Sequence, residues 1–542
     1  MRLPRAESRD LVCERDLPAA MEDGAVLLAD RWVARRTRHT AQPTVLVRSP
    51  YGRRQVLGLL FGRLMAERGL QVVIQSVRGT FGSEGSFSPF DERADGLATL
   101  RWIRRQPWHS DRIGMIGPSY LGFVQWAVAG AAGEDLAAMA IQVSASEFYG
   151  QTYAGGSLSL ETVASWLVLV SAQESHFGAV TIARALRRLP ALFSELPLAE
   201  FDRRATGAEV AWFQAALTNR LPGDPYWAAR DFTGVVSDVT TPVQFVGGWH
   251  DILLPWMLRD FGALQAAGRN VQLIVGPWTH TAPGLMGAGH REGLAWLRAH
   301  LLDDDRLRRP ARVRIFVTGE GSAGGWRQLP SWPPPGTGQR RLWLGDGQGL
   351  AEEGPRGAPA ASDRYTYDPA DPTPSLGGPT LLGRHAVVDN RPLESRADVL
   401  SYTTAALSEP LEAIGPVAVE LWLRASSRFF DVFARLCDVD RRDASWNVCD
   451  ALINVGPERS EPIGDGVWRV LIDLWPTAHR FAAGHRIRLQ VSSGAYPRYA
   501  RNPGTGEDPA IATMLAPVDI ELLRGELYPS ALILPWPAAL GR

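Results

Sequence analysis

Hydrophobic and polar positions are distributed in three different ways along this chain, and the changes divide it. Between residues 24 and 80, short apolar runs are separated by turn formers. Residues 26–32 alternate as a half-buried strand, residues 44–48 (Thr-Val-Leu-Val-Arg) are almost continuously apolar, and residues 71–77 form a third such run. Residues 56–67, between the last two, predict a helix. Residues 91–105 place Leu97, Leu100, Trp102 and Ile103 on one helical face. Residues 113–116 and 138–143 are again strand-like, with an apolar helix predicted over 123–132. Continuously apolar strands alternating with helices predict a parallel sheet covered on both faces.

Near Gly150 the strand signals stop. Residues 160–172, 179–189 and 206–216 have helical periodicity, and strand-like runs return only at 242–246 and 271–275. The economical reading is a helical cap inserted into the sheet, of the kind that roofs a binding site. Beyond Pro333-Pro-Pro335 the pattern changes once more. Short runs rich in Val, Leu, Ile, Tyr and Trp (341–344, 417–425, 431–439, 468–474 and 487–493) are punctuated by Gly, Pro and Asp. That predicts an antiparallel all-β domain, a β-sandwich of jelly-roll type. The expected organisation is an α/β core in two parts, 1–149 and 236–335, a cap over 150–235, and a β-sandwich over 336–542.

Composition narrows the function classes. The 542 residues are 45% apolar and 21% charged, ordinary for a globular protein with room for more than one core. A formal net charge of −1 gives no general attraction to nucleic acid or to an anionic membrane, and neither partner is expected. All 57 basic residues are arginine, which rules out a Schiff-base lysine and a phosphate-loop lysine. Cys13, Cys437 and Cys449 are too scattered for a disulfide framework or a zinc site. No histidine pair has metal-ligand spacing, so neither metal nor cofactor is expected. The first ten residues lack a signal-peptide apolar core, and no apolar run reaches the roughly 18 residues of a membrane span. A cytoplasmic location is the expectation, and homo-oligomerisation is left open.

The candidate chemistry centres on Gly117-Pro-Ser-Tyr-Leu-Gly122. A serine between small residues, where a strand breaks into a helix, has the form of a nucleophile elbow. Such a turn exposes the hydroxyl of Ser119 and aims the first N–H groups of the helix at whatever that oxygen attacks. A serine nucleophile needs a base, and the base needs an orienting carboxylate, in the chain order Ser, acid, His. Asp251 follows the run 243–246, and His280 follows the run 271–275, so both lie beyond strand ends in the required order. His250, next to Asp251, reads as pocket-lining or solvated, and His176 lies in the cap. The backbone N–H of Tyr120 is the expected first oxyanion donor, and the second is expected from the segment Arg48-Ser-Pro-Tyr51-Gly52-Arg53, as a backbone amide or the Tyr51 hydroxyl.

These motifs resemble those of the cocaine esterase and X-Pro dipeptidyl-peptidase family of serine hydrolases. The resemblance runs in order through Arg48-Ser-Pro-Tyr51-Gly52, Val73-Ile-Gln-Ser-Val-Arg-Gly-Thr-Phe-Gly-Ser-Glu-Gly85 and the elbow. It continues through Asp224-Pro-Tyr-Trp227, Thr241-Pro-Val-Gln-Phe-Val-Gly-Gly-Trp-His-Asp251 and Gly276-Pro-Trp-Thr-His280, then into the β domain at Ala397-Asp-Val-Leu-Ser-Tyr402, Phe430-Asp-Val-Phe-Ala-Arg435 and Phe481-Ala-Ala-Gly-His485. It implies an α/β-hydrolase core, a helical cap and a jelly roll, with a triad at Ser119, Asp251 and His280 and oxyanion donors at Tyr51 and Tyr120. Two departures stand out: Ser76 where the family usually has an acid, and His250 where it often has Tyr or Phe.

The expected activity is hydrolysis of a small ester, amide or short peptide through a serine acyl-enzyme. Trp249, His250, Phe148, Tyr149 and Trp166 are candidate pocket residues, and the aromatic supply favours an apolar acyl or aromatic leaving group. Carboxylic esters rank first. An X-Pro dipeptidyl-peptidase or amino-acid ester hydrolase ranks second and would need carboxylates to hold a free amine, for which Glu147, Glu161 and Glu174 are candidates. An acyltransferase or cyclase using the same acyl-enzyme is a further alternative.

Overall fold

A computed structural model of the chain describes residues 3–175, 178–319, 324–383 and 385–536. It divides into two compact units: Met1–Tyr149, Leu169–Ala183 and Ala211–Val313 form one, and Gly150–Val168, Arg184–Val210 and Arg314–Arg542 the other. The inserted helical region is thus shared between them.

The first unit is built on eight strands: β1 (Leu11–Ala20), β2 (Val26–Ala34), β3 (Gln42–Ser49), β4 (Gln71–Ser76), β5 (His109–Pro118), β6 (Ala138–Gln142), β7 (Val243–His250) and β8 (Val271–Thr279). Their spatial order is β1-β2-β4-β3-β5-β6-β7-β8, antiparallel at the first two pairings and parallel thereafter. Every residue of β4, β6 and β7 is buried, as expected of parallel strands covered on both faces. The pleat of β5 shows the two covers. A Cβ on Gly114 would meet Leu297 and Leu301 of the helix Pro283–Leu301, while one on Gly117 would meet Leu121 of the helix Tyr120–Ala132. Positions an odd number apart point to opposite faces, so these helices sandwich the sheet.

Several expectations change in detail. β1 was not anticipated. Its pairing with β2 shifts register between Glu14 and Leu17, Asp16 takes φ 54°, and Pro18 follows. An edge strand tolerates a proline and a bulge, and both erase the two-residue alternation by which a strand is recognised. The helix expected over 56–67 contains a π-helical stretch, Gly58–Arg63, between Gln55–Leu57 and Leu64–Ala66. The single helix expected over 206–216 is two, Phe201–Thr206 and Ala211–Thr218. Gly207, at φ 87°, ends the first by donating its N–H to the Arg203 carbonyl at 2.9 Å.

The second unit is mainly β, as expected. In one sheet, Leu411–Ala425 pairs antiparallel with Val467–Phe481, Val518–Arg524 and Ala531–Trp536. The other runs in the order Leu400–Thr403, Arg486–Ser492, Phe430–Val439 and Ser445–Val455, also antiparallel. All ten residues of Phe430–Val439 are buried. Among the described residues no helix is long and apolar enough to cross a membrane.

Candidate active site

β5 stops at Pro118 and the next helix starts at Tyr120, so the whole turn is made at Ser119. Ser119 has φ 54° and ψ −122°, a conformation that costs a residue with a Cβ about 1–3 kcal/mol. Hydrogen bonds hold it there: its N–H donates to the Gln142 carbonyl on β6 at 2.9 Å, and its carbonyl accepts the N–H groups of Gly122 and Phe123 at 2.8 and 3.1 Å. The flanking glycines are required by space. A Cβ on Gly117 would lie 2.3 Å from Leu121 Cβ, and one on Gly122 would lie 2.4 Å from Ser144 Cβ.

Asp251 and His280 each stand one residue beyond a strand, on the adjacent parallel strands β7 and β8. That adjacency, not sequence proximity, brings them together: His280 Nδ1 lies 2.5 Å from Asp251 Oδ2. Asp251 is fully buried, and its other oxygen accepts the Leu253 N–H at 2.8 Å. A carboxylate at Nδ1 keeps the proton on that nitrogen and leaves Nε2 as the basic one, the tautomer a general base needs.

Tyr51 follows β3 on a short loop, with its N–H donating to Ser49 Oγ at 3.0 Å. With Gly52, Arg53, Arg54, Gln55 and Phe81 it lines an open cleft of about 260 Å³. The two arginines in that cleft are neutralised by Asp16 and Asp30. Ser76, the departure noted in the sequence, is buried, and its hydroxyl accepts a bond from Arg53 Nη1 at 3.0 Å. Tyr120 begins the elbow helix, so its backbone N–H belongs to the first turn, while its side chain is buried behind the elbow. There the hydroxyl donates to Glu92 Oε1 at 2.6 Å and accepts the Phe90 N–H at 3.1 Å. Burial raises the pKa of both groups, strongly for the Tyr120 phenol, while Arg48 opposes the rise at Glu92.

The pocket candidates are less uniform. Phe148 is buried in an aromatic cluster, with ring centres 4.5 Å from Phe90 and 5.4 Å from Phe123. Tyr149 donates its hydroxyl to the Arg220 carbonyl at 2.9 Å. Trp249 and His250 are buried at the end of β7, His250 opposite Thr279 of β8. Trp166, on the helix Leu160–Ala172, belongs to the second compact unit. His176 lies outside the described residues. Each carboxylate considered for amine capture accepts a hydrogen bond from the protein: Glu147 from Arg259 at 2.9 Å, Glu174 from the Phe81 N–H at 2.8 Å, and Glu161 from the Leu381 N–H at 3.1 Å.

Sequence reasoning missed two buried polar groups near the elbow. Arg48, fully buried on β3, pairs with Glu92. Asp260, on the helix Leu254–Ala266, accepts the N–H and hydroxyl of Ser146 at 2.7 and 2.8 Å. Burial pushes the Asp260 carboxyl up to about 6, with Arg259 opposing. A charge at the end of an apolar run was the available signal for Arg48. Asp260 carried none, since on a helix it is indistinguishable from a surface residue.

A serine elbow followed by an acid and a histidine at the ends of later strands, on a sheet in this order, defines the α/β-hydrolase class. The model of the X-Pro dipeptidyl-peptidase (S15) family matches residues 23–282, and that of the X-Pro dipeptidyl-peptidase C-terminal non-catalytic domain matches residues 306–531. The chain is 32% identical to cocaine esterase from Rhodococcus sp. (strain MB1 Bresler), across 95% of this chain and 97% of that protein. It belongs to this family and is an acyl hydrolase. Among solved structures, an aminopeptidase from a marine-sediment Thaumarchaeota archaeon superposes with a TM-score of 0.82 at 22% identity, covering 99% of this chain and 98% of that one. An α-amino acid ester hydrolase gives 0.81 at 20% identity, with the same coverage. At those identities the likeness is one of fold.

Proposed function

We propose that the chain hydrolyses carboxylic esters through an acyl-enzyme on Ser119. The observation that carries this reading is the 2.5 Å bond between His280 Nδ1 and Asp251 Oδ2, on strand ends that follow the serine elbow in the required order. His280 Nε2 takes the Ser119 proton as Oγ attacks the ester carbonyl, then returns it to the departing alcohol. Asp251 holds the imidazole tautomer and stabilises the imidazolium. The Tyr51 hydroxyl and the Tyr120 N–H hold the oxyanion of the tetrahedral intermediate. Water then repeats the sequence on the acyl-enzyme, with His280 again as base, and releases the acid.

Esters rank above peptides because a peptidase that trims from a free N-terminus must hold an ammonium. Glu147, Glu161 and Glu174 are each engaged by donors of the protein itself, Glu147 in an ion pair with Arg259. Detaching one of them for a substrate amine would forfeit a hydrogen bond the chain already makes. The resemblance to cocaine esterase over nearly the whole chain supports the same ranking. The deciding experiment is a panel of p-nitrophenyl esters of short and aromatic acids run beside Gly-Pro and Ala-Pro anilides. Turnover of the esters with the anilides untouched is expected; preference for the anilides would transfer the reading to X-Pro peptidase.

A further inference from the structure

We propose that Arg48 and Glu92 are positioning residues that fix the separation between the two oxyanion donors, Tyr51 and Tyr120. The inference rests on the oxyanion roles assigned above. It follows from a continuous path of hydrogen bonds and chain that joins the loop bearing one donor to the helix bearing the other. The Tyr120 hydroxyl donates to Glu92 Oε1 at 2.6 Å, and Arg48 Nη1 meets Glu92 Oε2 at 2.7 Å. The next residue along β3 is Ser49, whose Oγ accepts the Tyr51 N–H at 3.0 Å and whose carbonyl accepts the Val77 N–H at 3.0 Å.

The path is cross-braced. Arg48 also reaches the Glu92 carbonyl at 3.2 Å and Gln75 Oε1 at 2.9 Å, and Thr99 Oγ1 donates to the same Gln75 oxygen at 2.9 Å. The Tyr120 ring stacks on Phe90 at 5.3 Å between centres. The Arg48 side chain is 0% exposed and that of Glu92 4%. Burying an ion pair this deeply adds little stability over a well-packed apolar pair, because desolvation offsets most of the attraction. What a buried pair tied at several atoms supplies is fixed geometry, and an oxyanion hole needs it: its donors must sit 2.7–3.1 Å from the developing charge.

The test is a double-mutant cycle on a p-nitrophenyl ester of a short acid, with melting temperatures measured in parallel. Tyr120→Phe removes the anchor while keeping the backbone N–H and the Arg48–Glu92 pair. It is expected to lower kcat by about 10-fold to 10²-fold with KM unchanged, the size of loss a small misplacement of catalytic groups produces. In a Tyr51→Phe background the same change is expected to be nearly silent, since only one donor is left to position. Glu92→Gln should follow the same pattern if it folds; if it does not, Tyr120→Phe carries the test. Wild-type kcat in Tyr120→Phe, or an equal loss in both backgrounds, would overturn the proposal. Failure of the oxyanion reading looks different, since Tyr51→Phe alone would then leave kcat unchanged. Loss in Ser119→Ala and Tyr51→Phe with none in Tyr120→Phe removes the brace alone.

Discussion

His280 and Asp251 each sit one residue past the end of adjacent parallel strands, and their side chains meet at 2.5 Å. Asp251 is also held by the Leu253 N–H, so it cannot turn away from the imidazole without breaking a buried bond. Asp251→Asn should keep the shape and lose the tautomer, lowering kcat on a p-nitrophenyl ester by about 10⁴. Circular dichroism should show an intact fold. A loss below tenfold would mean that this carboxylate does not orient the base.

Tyr51 is assigned a role only its hydroxyl can fill. Tyr51→Phe should lower kcat by about 10²–10³, the loss seen when one oxyanion donor is removed, with KM little changed. Steady-state kinetics on the same ester will separate that result from a rise in KM, which would make Tyr51 a binding residue instead.

The elbow tolerates no extra carbon. Gly122→Ala would place a Cβ 2.4 Å from Ser144 Cβ, so the helix must move away from the segment just past β6. We expect loss of activity together with a destabilisation of about 1–3 kcal/mol, as for an overpacked core site. Denaturant unfolding measures the second quantity. An active variant of unchanged stability would show that the helix does not pack as described.

Asp260 makes stability depend on pH in a sense opposite to most carboxylates. Burial raises it from 3.8 to about 6, so the folded chain binds this proton more tightly than the unfolded one. Its favourable contribution is complete below the unfolded value and is lost as pH rises through about 6. Asp260→Asn removes that dependence. Between pH 5 and 7.5 the stability of the wild type should therefore fall, relative to the variant, by about 1.4 kcal/mol. Urea unfolding at the two pH values measures it, and a gap that stays constant would contradict the assignment.

Much of this was legible in the sequence because it depends on local chemistry. The elbow needs glycine at 117 and 122, and the partners must follow strands, so Ser119, Asp251 and His280 could be named without coordinates. The strand expected over 44–48 lies within β3, but the burial of Arg48 at its end was not legible, because its partner Glu92 lies on another element. β1 escaped for a related reason: an edge strand with a bulge and a proline is held by pairing with β2, which its own pattern does not encode. Long-range pairing is the common cause.

The central claim is that Ser119 carries the acyl group, and mass spectrometry of the protein after brief reaction with a fluorophosphonate tests it most directly. The account predicts one adduct, on the peptide containing Ser119, absent from Ser119→Ala and strongly slowed in His280→Ala. An adduct on another residue, or ester hydrolysis that persists in Ser119→Ala, would contradict it.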